Sequence, residues 1–121
     1  MEGQMNDGVA REVDPMKSLQ AMQSTGPRLA QAKADRVYLE EYRKSLKAIL
    51  MRSAEKAGNT SAAAQEREAY ADESYSAHLD GLKEAVRLEE QLRWTMVIAQ
   101  AAIDVYRSME ATNRAMDRGA A

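Results

Sequence analysis

LEEYRKSLKAILMRSAEK, Leu39 to Lys56, contains no strand-like alternation, and its apolar residues recur every three or four positions. At about 100° per residue, Tyr38, Leu39, Tyr42, Leu46, Ile49 and Leu50 share an arc of roughly 120°. Lys33, Arg36, Arg43, Lys44 and Lys47 share a second arc of roughly 100°, with Glu40 as the one acid among them. The stretch therefore reads as a helix that packs through its tyrosines and leucines and turns a row of cations outward.

The same reading extends in both directions. Gly58-Asn59 is a helix stop, and Gly26-Pro27 opens the chain ahead of Arg28, so the first long helix is expected over 28–57. Residues 1–27 read as a flexible leader in which Asp14-Pro15 starts at most one short turn. Thr60 or Ser61 caps a new helix. Asp72 marks either a second start after a brief break or a point inside a continuous helix. From about residue 73 the pattern stays helical to about 117. Leu88, Leu92, Met96, Ala99, Ile103 and Tyr106 recur at steps of four or three. The expected fold is all-α, one helical domain over 28–121, arranged as a long antiparallel helical hairpin.

Composition agrees. Of 121 residues 22 are Ala, Phe and Cys are absent, and 30% are charged. Such helix formers make long helices with little area to bury, so self-association into a homo-oligomer is expected. Trp94 opens WTMVIAQAAIDVY, apolar nearly all round a helix. Leu88, Leu92, Trp94, Met96, Ile103 and Tyr106 are the expected oligomer interface. The absence of Cys excludes disulfides and thiolate metal sites. No apolar run approaches the ~20 residues of a membrane span, and no signal peptide is evident, so a cytoplasmic location is expected.

The net charge of −2 hides segregation. Residues 28–57 carry eight basic and four acidic groups, and residues 58–93 the reverse. A solvated face is the plain account of the cations. Two partners also suit them: the acidic stretch Glu66 to Glu90, within or between subunits, or the phosphates of a polyanion. Lone His78 reads as a helix-surface residue. No phosphate loop, nucleophile elbow or ligand spacing is present, so neither an enzyme nor a cofactor is expected.

LKAIL (Leu46 to Leu50), followed by a polar stretch and then LRWTMVIAQAAIDVYRSMEATNR, resembles the bacteriophage UvsY-like recombination mediators. The resemblance covers roughly residues 35–115. It implies a homo-oligomer in the cytoplasm of a phage-infected bacterial cell that binds single-stranded DNA and helps load a RecA-like recombinase in place of single-strand-binding protein. In that family a Leu-Lys-Ala-Arg-Leu type segment serves strand binding. Here Leu46, Lys47, Ala48 and Leu50 fit it and Ile49 stands where the arginine would be, which leaves Lys47 as the direct match and Arg43, Lys44 and Arg52 as substitutes. The implied DNA-binding set is Lys33, Arg36, Arg43, Lys44, Lys47 and Arg52. The alternative is a non-enzymatic oligomeric helical adaptor or scaffold that pairs charged faces with a protein partner.

Overall fold

The computed structural model describes residues 13–120. Three helices account for nearly all of them: α1 (Pro15–Lys56), α2 (Ala62–Ala71) and α3 (Glu73–Ala120). There is no strand among the described residues.

α1 starts thirteen residues before the expected Arg28 and runs straight through Gly26-Pro27. Asp14 is its cap: one carboxylate oxygen accepts from the Met16 and Lys17 amides at 2.9 and 3.3 Å. Pro15 then sits at the first helical position, where its missing N–H costs nothing. Pro27 removes one intrahelical bond. The residue before a proline is normally driven out of the helical region by its own Cβ; Gly26 has none. The expected leader thus contributes residues 15–27 to α1, while residues 1–12 lie outside the described chain.

α1 ends in a Schellman turn. Gly58 takes φ +109°, its N–H donates to the Glu55 carbonyl at 3.1 Å, and the Asn59 N–H donates to the Ala54 carbonyl at 3.0 Å. Asn59 Nδ2 also donates to the Ala54 carbonyl, and Gln65 Nε2 donates to the Asn59 carbonyl, so the connection is tied at both ends. The Ser61 hydroxyl caps α2 by accepting from the Ala64 amide.

The chain breaks at Asp72, which is extended (φ −69°, ψ 138°) and caps α3. Its Oδ1 accepts from both the Ser74 hydroxyl at 2.6 Å and the Ser74 amide at 2.8 Å. Those bonds, the hydroxyl's above all, hold the Asp72 carboxyl below its ordinary range. A depressed folded value means that the cap's stabilisation is complete above about pH 4 and is lost as pH falls through the folded value. Asp72→Ala is expected to speed amide exchange of Ser74 and its neighbours at neutral pH and to remove that acid-side sensitivity; unchanged exchange would deny the cap its role.

The buried pattern along the long helices is a heptad seam. In α1, Ser18, Met22, Thr25, Leu29, Ala32, Arg36 and Leu39 are buried or half-buried at alternating steps of four and three, and Leu46 and Leu50 continue it. In α3 the series is Tyr75, His78, Leu82, Ala85, Glu89, Leu92, Met96, Ala99 and Ile103. A sustained seven-residue repeat is the signature of coiled-coil packing. The seam of α1 lies about 60° round the helix from the centre of the arc of large apolar side chains. Leu39, Leu46 and Leu50 take part. Tyr38, Tyr42 and Ile49, expected to pack with them, remain exposed.

By contacts the chain divides into two compact units, one formed by Ala30–Glu90 and the other by the described residues up to Leu29 together with those from Gln91 onward. Within the first, Arg36 spans from α1 to Glu89 of α3, and the His78 ring N–H donates to the Leu39 carbonyl at 2.7 Å. His78 is therefore a half-buried seam residue rather than the surface residue expected. In the second unit Leu92 and Ala99 are buried, and no large side chain among the described residues is sealed completely from solvent.

Candidate nucleic-acid interface

The six cations expected to act together do not form one row. Arg36 lies at the seam edge, with Nε bonded to the nearly inaccessible Glu89 carboxylate, Nη2 to the same group at 3.3 Å, and Nη1 to Glu40 at 2.9 Å. These bonds, that to Glu89 first, raise the guanidinium's pKa. Arg36 is thus held by two carboxylates of its own chain and does not stand in the outward row expected of it. Lys33 and Arg52 are exposed. Arg43 and Arg52 are nine residues apart, about half a turn round the helix, and cannot face the same strand.

Three of the six do converge. Arg43, Lys44 and Lys47 line a cleft of about 350 Å³ with Tyr70 of α2 and Tyr75 of α3. Arg43 and Lys44 are exposed, and Lys44 makes only a surface pair with Glu41 at 3.3 Å, of the kind that holds little energy. Lys47 is half-buried. Its Nζ donates to Glu66 Oε1 at 2.9 Å and lies 4.9 Å from the centre of the Tyr70 ring, a cation–π distance. Tyr70, then Glu66, raise the Lys47 ammonium's pKa, and Lys47 chiefly depresses the Glu66 carboxyl. The outward row of five cations is thereby corrected: Arg36 and Lys47 are both neutralised by carboxylates of the acidic segment, within the chain.

Tyr70 and Tyr75 are the residues that sequence reading missed. Five positions apart on one helix they would point about 140° away from each other. The break at Asp72 turns the chain between them, and their rings meet edge to face at 5.2 Å. The signal was present as two tyrosines flanking an Asp-Glu-Ser cap. A second aromatic ladder, Tyr38 stacked on Tyr42 at 6.0 Å and Tyr42 tilted on His78 at 5.6 Å, lies on the exposed side of α1.

The expected interface residues also divide. Leu92 is buried inside its own chain, and Met96 and Ile103 are half-buried on the seam. Leu92 is therefore corrected to a core residue. Trp94, Leu88 and Tyr106 are exposed, and Trp94, Ile98, Ala101 and Val105 trace a second stripe along α3 at steps of four, three and four. Trp94 and Ile98 are each more than 60% accessible. No helix of the described residues is long and apolar enough to cross a membrane, and no group of three or more His, Asp or Glu among them is placed to hold a metal ion. Comparison with family models, with curated proteins and with solved structures returned no match.

Proposed function

We propose that this chain is a single-stranded-DNA-binding recombination mediator, an antiparallel helical hairpin that self-associates and presents several copies of one strand-binding cleft. The cleft carries the reading: three cations and two tyrosines gathered from three helices are the combination a single strand needs, charge for phosphate and ring faces for bases. One cleft binds weakly, and several held in one assembly bind with the strength of linked sites. The exposed Trp94–Val105 stripe supports self-association. The RecA-like recombinase and the displaced single-strand-binding protein enter through the resemblance of LKAIL and LRWTMVIAQAAIDVY to the UvsY-like mediators.

The test is fluorescence anisotropy with a labelled oligothymidine across a salt series, beside mass measurement of the free protein. Two to three phosphate contacts per cleft, according to how far Lys47 is shared with Glu66, give a slope between about −1.4 and −2 in log K against log salt for each cleft engaged. R43E/K44E is expected to weaken binding at least about 100-fold and to leave the oligomer mass unchanged. Absence of salt-dependent binding by the unaltered chain would end the proposal.

A second reading, the oligomeric adaptor or scaffold, is favoured by a different observation. The acidic segment neutralises Arg36 and Lys47 within the chain. Under that reading R43E/K44E disturbs assembly or partner capture, and there is no strand binding to lose.

A further inference from the structure

Glu66 stands beside the cleft and holds one of its three cations, Lys47. Its carboxylate lies 2.9 Å from Lys47 Nζ, on the turn of α2 that precedes Tyr70, and Lys47 stands over the Tyr70 ring. Both partners remain accessible, the Lys47 side chain by 33% and that of Glu66 by 46%, so an incoming anion reaches the pair without opening the fold. Arg43 and Lys44 stand on the same cleft with no carboxylate in its lining, and Tyr70 keeps about half of its surface.

We infer that Glu66 is an internal competitor for the strand: it holds Lys47 in the free protein, and a backbone phosphate displaces it when a nucleotide enters with its base against Tyr70. The inference rests on the strand-binding reading and deepens it, because it assigns one nucleotide unit to this cleft and one carboxylate to its regulation. An ion pair with both partners partly open to solvent is a weak lock, and salt screens it. The exchange of one anion for another at Lys47 is therefore close to balanced, and the strand gains from that cation only part of what a bare lysine would supply. Neutralising Glu66 hands the whole cation to the phosphate. The ring beneath explains why a nucleotide rather than a bare phosphate is the better occupant: the base that follows the phosphate finds an aromatic face beside the ammonium.

The experiment compares the intact chain with E66Q, E68Q and the double variant K47Q/E66Q, using a labelled oligothymidine, an abasic strand of equal length and inorganic phosphate as competitor. E66Q is expected to tighten oligothymidine binding about fivefold per cleft at 0.1 M salt and to steepen the salt slope by about 0.7, the increment of one further phosphate contact. E68Q changes the net charge equally without touching Lys47 and is expected to give less than a twofold change. K47Q/E66Q loses the gain. Tyr70→Ala is expected to weaken oligothymidine binding about tenfold and to leave the abasic strand's affinity unchanged. Thermal melts of every variant establish that each is folded. If the intact chain binds no strand, the functional reading falls and this inference with it. If the intact chain binds and E66Q is neither tighter nor steeper, or E68Q matches it, the competitor role alone is wrong. Competition by inorganic phosphate as strong as that by the strand, mole for mole, would remove the nucleotide from the claim.

Discussion

Glu89→Ala is expected to lower the melting temperature by about 15 °C, with Glu89→Gln falling between it and the unaltered chain. Glu89 takes a core position in the α3 heptad, with Ala85 and Leu92 as its neighbours in the seam, and only 3% of its side chain is accessible. A charge there is tolerated because Arg36 meets it with two nitrogens and is itself steadied by Glu40. Removing one member of such a pair leaves the other in a poorly hydrated place, which is the costly half of the experiment. Replacing both with apolar residues need not be costly: Arg36→Met with Glu89→Leu is expected to melt at or above the original temperature. The loss should appear as specificity. A polar residue at one heptad core position fixes the register of the helices it joins, so the double variant is expected to show faster amide exchange along α3 even where its melting point is restored. A melting point for Glu89→Ala within about 3 °C of the original would show that the pair holds nothing together.

The same residue shows how much of the fold was legible. Helix type, the stop at Gly58 and the cap at Ser61 followed from residue chemistry that acts over one turn, and local chemistry is what a sequence displays. The seam followed only in part, because apolar periodicity alone does not point to a buried charge or to small buried residues. Reading only apolar positions passes over Glu89 and takes Leu88 in its place, although Leu92, Met96, Ala99 and Ile103 of the expected series do fall on the α3 seam. In α1 the largest side chains were given the buried face. The observed face instead uses Thr25, Ala32 and a paired Arg36, and it leaves Tyr38 and Ile49 outside. A strict search for steps of four and three, with charged residues admitted, would have found both series. Gly26-Pro27 misled for a related reason. Each residue alone is a helix breaker, yet the glycine has no Cβ to clash with the proline ring that follows it, which removes one of the obstacles to a helix running through the pair.

The site was legible in its charges and not in its geometry. Segregation of basic from acidic segments was visible, and so was the option that one would neutralise the other. Which lysine would meet which carboxylate depends on a 19-residue separation between Lys47 and Glu66 that runs through two caps and a left-handed glycine. Tyr70 and Tyr75 become neighbours only because the helix ends between them. Helical wheels describe one continuous helix and are blind to that.

Under the proposed function, Trp94→Asp with Ile98→Asp is expected to leave the chain monomeric in sedimentation velocity, where the unaltered chain is an oligomer, and to lower strand affinity by about 100-fold or more. The second effect follows from the first: clefts that no longer share an assembly lose the enhancement that linked sites confer, commonly about 10² to 10⁴. Both residues lie on the stripe that faces away from the α3 seam, so charging them leaves the chain's own core alone. Leu92→Ala supplies the contrast. Leu92 is 5% accessible, and a buried leucine cut to alanine costs about 2–5 kcal/mol, so that variant melts earlier yet forms the same oligomer at low temperature. The core of a single chain gives the reason to expect assembly at all. Its buried apolar residues are Ala32, Ala54, Ala69, Leu92 and Ala99, four of the five with a single methyl to remove from water, while the Trp94 indole, Ile98 and Val105 stay exposed along one stripe of α3. A second helix laid over that stripe would cover large apolar side chains that a single chain leaves in water. Should the Trp94 and Ile98 variant keep its mass and lose its melting transition, the stripe belongs to the chain's own fold and self-association must be sought on the Tyr38–Tyr42 side of α1.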